Sequence, residues 1–164
     1  MKKIYFFLPV ILLYTSCNNN NLVDIEKASA EAENFIANQF DFFTNSSLEQ
    51  AKMTFADNAI LIGTDAAEYL TGWEEIEPSV KGQLIIKDPV FTSRNLNIFM
   101  SDDGKMASYT QELDFTYSID GEPGEVKDVR NSGVIKKNDN KWEIIQIHWS
   151  IGLEGQAVEY EIIE

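Results

Sequence analysis

From Pro89 to residue 151 the chain alternates apolar and polar positions in steps of two, with three interruptions. This period, with its share of β-branched and aromatic residues, predicts strands over about 90–100, 105–118, 126–136 and 141–151. The interruptions are Asp102-Asp103-Gly104, then Asp120-Gly121-Glu122-Pro123-Gly124, then Asn138-Asp139-Asn140, all with hairpin chemistry. In the last strand one face reads Trp142, Ile144, Gln146, His148, Ser150. The other reads Glu143, Ile145, Ile147, Trp149, Ile151, almost wholly apolar and therefore covered.

Upstream the period is helical. Ile25, Ala28, Ala32, Phe35, Ile36, Phe40 and Phe43 form one stripe, which predicts a helix over 24–43 broken by Thr44-Asn45-Ser46. Ser47 with Gln50 three places on predicts a capped short helix to about Phe55. Residues 59–62 read as a short strand, closed by Gly63-Thr64-Asp65. Thr71-Gly72-Trp73-Glu74 starts a third helix to about Leu84, which Pro78 should kink or split. Strands of eleven to fourteen residues would reach roughly 35–45 Å at ~3.3 Å per residue, so they must bend, by bulges or at glycines such as Gly133. Helices followed by a curved antiparallel meander make an α+β fold.

Pairing the strands at the simplest loop lengths sets Lys137 opposite Lys141 and Ile119 opposite Glu125. One face then carries a row Asp114–Arg130–His148, with Glu112–Ser132–Gln146 beside it. Such a row is an anion clamp with His148 as general acid or base, or simply a cross-strand charge row on a wet or interfacial face. The opposite face carries Tyr109, Leu113, Phe115, Tyr117, Val129, Ile135, Ile145, Ile147 and Trp149. Phe55, Tyr69 and Trp73 come from the helical half. These aromatics either fill the core or wall a cavity for a small organic molecule. Asp65 and Glu68 follow a strand end, where a carboxylate could sit at the cavity mouth or serve a turn and a cap.

Composition adds an address. Lys2 and Lys3 precede an apolar run over 4–14, too short to span a bilayer, and then Thr15-Ser16-Cys17. This resembles a bacterial lipoprotein signal, with Cys17 lipidated and 18–23 a polar tether. The plainer alternative is a secretory signal with a free cysteine. The expectation is a signal over 1–17, a domain over 24–151, an acidic tail over 152–164, and a place in the cell envelope, lipid-anchored and facing the periplasm or exterior. The net charge is −14, and it becomes −16 without the first sixteen residues, which hold two lysines and no acids. That charge disfavours nucleic acid and anionic membrane surfaces as partners, leaving membrane attachment to the lipid alone. With one cysteine and one histidine, no metal site or cofactor is expected.

Three segments carry a family resemblance. They are Phe55-Ala-Asp-Asn-Ala-Ile-Leu-Ile-Gly-Thr-Asp65 with Glu68 and Gly72, Arg130-Asn-Ser-Gly-Val-Ile135, and Lys141-Trp-Glu-Ile-Ile-Gln-Ile-His-Trp-Ser150. In order and spacing the chain resembles a SnoaL-like member of the nuclear transport factor 2-like superfamily. The resemblance implies a cone: a curved antiparallel sheet around a long N-terminal helix, with a cavity between them and frequent homodimerisation through the sheet. It does not imply one function, because the superfamily holds isomerases, dehydratases, assembly modules and binders. The reading adopted is a binder of a small organic ligand, contacted by Phe55, Tyr69, Trp73, Tyr109, Arg130, His148 and Trp149. The alternative is an isomerase or dehydratase using His148 with Asp114 or Glu68.

Overall fold

The computed structural model describes residues 24–152. Helix α1 spans Ile25–Asn38, with Asp24 capping its N-terminus by accepting the Lys27 N–H at 2.9 Å. It is shorter than the apolar stripe predicts. Gln39 turns inward, and both its N–H and its side-chain amide donate to the Ile36 carbonyl, which diverts the helical ladder. The stripe continues through α2 (Asp41–Thr44), so Phe40, Phe42 and Phe43 are buried beside Ala32 and Ile36. Helix α3 (Leu48–Thr54) starts as expected at Ser47, whose hydroxyl accepts the Gln50 N–H.

Strand β1 (Phe55–Ile62) follows α3 directly, and a three-residue strand β2 (Tyr69–Thr71), too short for a periodic signal, pairs back on it. Helix α4 (Trp73–Gln83) is one element despite Pro78. Its N-cap is Gly72 at φ +78°, not Thr71; the Thr71 N–H is taken by the Glu75 carboxylate at 2.7 Å.

Strands β3 (Lys87–Met100), β4 (Met106–Ile119), β5 (Glu122–Asn138) and β6 (Lys141–Ile151) complete a six-stranded sheet in the order β2-β1-β6-β5-β4-β3. The sheet is mixed rather than antiparallel throughout, because β1 runs parallel to β6. Register breaks interrupt β3, β4 and β5, where Asp88, Asn95 and Asp128 adopt positive φ. These bulges supply the bending that strands of this length require.

The cross-strand row Asp114–Arg130–His148 does not form. Asp120-Gly121 and Asp139-Asn140 are two-residue turns with both central φ positive, where longer loops were expected. The tight turns shift the pairing by three residues between β4 and β5 and by one between β5 and β6. A bulge in each hairpin brings the net shift at Arg130 to two, which changes every partner. Arg130 stands opposite Ser150 and Glu112, while His148 stands opposite Ser132. The bulge in β6 makes Ile145 an extra residue between Ile144 and Gln146. The faces of β6 therefore exchange midway, and Trp142 and Ile144 are buried with Ile147. Strict alternation put them on the opposite side.

Candidate functional site

Between the concave sheet face and the helices lies a cavity of about 260 Å³. Seven of its nineteen lining residues are aromatic. Phe40, Phe42 and Phe43 come from the α1–α2 region, Phe55 from the start of β1, Phe91 and Phe115 from β3 and β4, and Trp149 from β6. The rings hold one another: Phe40 lies 4.8 Å from Phe91 and 5.0 Å from Trp149, and Phe91 stacks on Phe115 at 5.4 Å. Val129 and Ile147 form part of the sheet wall, and Val80 of α4 closes the helical side. The polar lining groups are few: Thr64, Glu68, Ser79 and Gln83. Thr64 and Gln83 are exposed and mark the opening.

Glu68 is the only ionisable residue in this lining. The turn that carries it is tied by Asp65, whose carboxylate accepts the Ala67 N–H and whose carbonyl accepts the Glu68 N–H. The Glu68 side chain folds over Gly63, and its Oε2 accepts the Asp65 N–H at 3.2 Å. A Cβ on residue 63 would stand 2.6 Å from the Glu68 carboxyl carbon, so glycine is what admits the carboxylate there.

Of the residues expected to contact a ligand or carry catalysis, Phe55, Trp149 and Glu68 line the cavity, and Tyr69, Trp73, Tyr109, Asp114, Arg130 and His148 do not. Phe115, Val129 and Ile147, placed on the inner face by their period, line it as well. Trp73 stands behind Phe55, 6.1 Å away, with the Lys52 ammonium 5.2 Å over its ring. Tyr69 is 63 % exposed on the short edge strand β2. Tyr109 is fully buried deeper in the fold, donating to Gln39 at 2.7 Å. Its phenol is pushed well up by burial, an effect the Gln39 hydrogen bond partly opposes.

His148 falls between Ile147 and Trp149, both of which line the cavity, so its side chain lies on the opposite face of the strand. No ion pair between His148 and a carboxylate exists among the described residues. Arg130 is also on the outer face, its Nη2 only 2.9 Å from where a Cβ of Gly152 would be. The partner of Asp114 is Arg94, which sequence reasoning missed. Arg94 Nη2 donates to Asp114 and to Asp128, both at 2.9 Å, and Glu112 is 3.6 Å from Nη1. The Asp128 N–H donates to Asp114 and, with Arg94, holds that carboxyl below its usual range. The spacing of Arg94 on β3 gave no signal, because a bulge between Arg94 and Asn97 breaks the period there.

A second, more open groove of about 810 Å³ lies between α1 and the β5–β6 turn. The Lys137–Glu31 ion pair, which holds the Glu31 carboxyl low, spans it. Among the described residues no cluster of metal-ligating side chains occurs, and no helix is long and apolar enough to cross a membrane. The expected lipidation at Cys17, the tether, and the acidic tail after Gly152 lie outside the described residues.

No curated protein sequence matches the chain. Among solved structures, a nuclear transport factor 2-like superfamily protein from Salmonella enterica is similar with a TM-score of 0.69 and 16 % identity, over 82 % of this chain and 99 % of that one. A protein from Xanthomonas campestris, provisionally described as a calcium/calmodulin-dependent protein kinase II association domain, gives 0.68 and 22 %, over 76 % and 87 %. One from Novosphingobium aromaticivorans, provisionally described as a scytalone dehydratase, gives 0.66 and 13 %, over 77 % and 85 %. At these identities the likeness establishes the shared fold. The family model for the SnoaL-like domain matches residues 32–154, three quarters of the chain, and the protein belongs to that family.

Proposed function

We propose that this domain binds a small, mainly apolar organic molecule in the ring-lined cavity. One observation carries the reading: the cavity combines many aromatic walls with a single ionisable group, Glu68, at its mouth. The general acid or base that the sequence offered, His148, belongs to the outer face. An isomerase or dehydratase working through His148 therefore lacks its proton carrier beside the cavity. The provisional dehydratase among the structural relatives keeps an enzyme reading in view, and Glu68 is then the group at which it would act.

The proposal extends to placement and assembly. Lipidation at Cys17 would hold the domain at an envelope membrane, and the outer sheet face, which no described helix covers, would pair two copies. Loss of membrane association in Cys17→Ser tests the first, and light scattering of the purified domain tests the second.

Binding is tested by calorimetry with a neutral fused-ring probe against wild type and Leu61→Trp. Leu61 is a half-buried wall residue, and an indole there occupies the space a ligand needs. Wild type should bind and the filled variant should not, with thermal stability kept. Equal binding by both proteins defeats the proposal.

A further inference from the structure

We infer that the cavity selects an organic cation, a ring-sized apolar body bearing an amine or quaternary ammonium head that rests against Glu68. This rests on reading the cavity as a small-molecule site, and it names the class of molecule. The wall supplies aromatic faces, Phe42, Phe55, Phe91, Phe115 and Trp149 among them, whose quadrupoles attract positive charge. The mouth supplies the one formal charge in the lining, and it is negative. The Glu68 carboxylate is placed by its contacts: Oε2 accepts the Asp65 N–H, and the absence of a Cβ on Gly63 lets the group lie over the turn. Its second oxygen has no partner among the described residues.

No lysine or arginine lines the cavity to answer an anion. Lys87, next in sequence to the lining residue Ile86, directs its ammonium to the Ser46 hydroxyl and the Leu84 carbonyl, at 3.4 and 3.5 Å. The chain's net charge of −14 adds a field of the same sign as Glu68. An anionic ligand would meet repulsion at the mouth, and a neutral one would offer the carboxylate at most a hydrogen bond without charge. The cation gains from both the rings and the carboxylate.

Three probes of one shape decide the matter: naphthylmethylammonium, naphthalenemethanol and naphthoate, titrated by calorimetry into wild type, Glu68→Gln and Gly63→Ala. Wild type should bind the cation at least about tenfold tighter than the alcohol, ~1.4 kcal/mol, with naphthoate weakest. High salt should shrink that margin, because the mouth is open to solvent. Glu68→Gln should bind cation and alcohol alike. Gly63→Ala keeps the charge but displaces it, and should lose the same preference. Wild type that binds the alcohol or naphthoate as tightly as the cation overturns the inference and leaves the cavity a binding site. A preference retained in both variants overturns it equally. If none of the three probes binds, the cavity reading falls as well.

Discussion

The concave face of the sheet treats its two ends differently. Toward Phe115 and Trp149 the side chains stand apart and leave a cavity. Toward Ala107, Ile135 and Trp142 the space is filled. The filled end has a definable cause in Gly133. Without a side chain there, the Tyr109 ring lies flat on β5, where a Cβ would sit 2.7 Å from both its Cε1 and its hydroxyl. That hydroxyl then reaches Gln39, the residue that ends α1. Beside them Gln111 donates to Asn131, and Asn131 donates to the His148 carbonyl, so the buried amides are paired. At the other end Gly124 receives the Tyr117 ring in the same way, but Phe91, Phe115 and Trp149 line the cavity rather than closing it. One face thus makes both a sealed core and an open site, according to what each strand presents.

The largest effect should come from spoiling the filled end. Gly133→Val forces a side chain against Tyr109 and against the Gln146 carbonyl, which is backbone and cannot turn aside. Overpacking of this kind costs about 3 kcal/mol, read as a drop in the denaturant midpoint. Tyr109→Phe comes next. It leaves the buried Gln39 acceptor unpaired, at about 1–2 kcal/mol, while probe binding at the cavity should be untouched.

The same substitution has a pH signature. Because the folded phenol titrates above its unfolded value of about 10, the stability it contributes is fully present below that pH and is lost as pH rises beyond it. Wild type should lose thermal stability above about pH 10 more steeply than Tyr109→Phe. Identical alkaline limbs would show that the phenol is not buried as described.

The smallest effect belongs to the outer face. Asp114 is held low by the Asp128 N–H and by Arg94, so its contribution is present above the unfolded carboxylate value and is lost as pH falls through the folded one. Asp114→Asn should flatten the acid limb of thermal stability slightly. The exposed position of the cluster keeps the change small.

Much of this was legible in the sequence. The period-two run placed all four long strands, and β6 was found end to end as Lys141–Ile151. The faces of Tyr109, Leu113, Val129, Ile147 and Trp149 were also readable. What escaped was whatever depends on single residues rather than on period. Tight turns and bulges together moved the registers at Arg130 by two, the bulge at Ile145 turned Trp142 and Ile144 inward, and β1 chose a parallel neighbour. For the site, Phe55, Trp149 and Glu68 could be named because each sits at the edge of a periodic segment. Phe42 and Phe91 were not singled out, and Phe115 stood on the inner face as either core or cavity wall. No pattern along the chain distinguishes a ring that fills space from one that borders it.

The central claim is that binding belongs to the ring-lined cavity and not to the outer face that carries His148. Calorimetric titration of one neutral fused-ring probe into wild type, His148→Ala and Leu61→Trp tests it directly. The account predicts that His148→Ala binds as wild type does and that Leu61→Trp does not bind. Binding abolished in His148→Ala and intact in Leu61→Trp would contradict it.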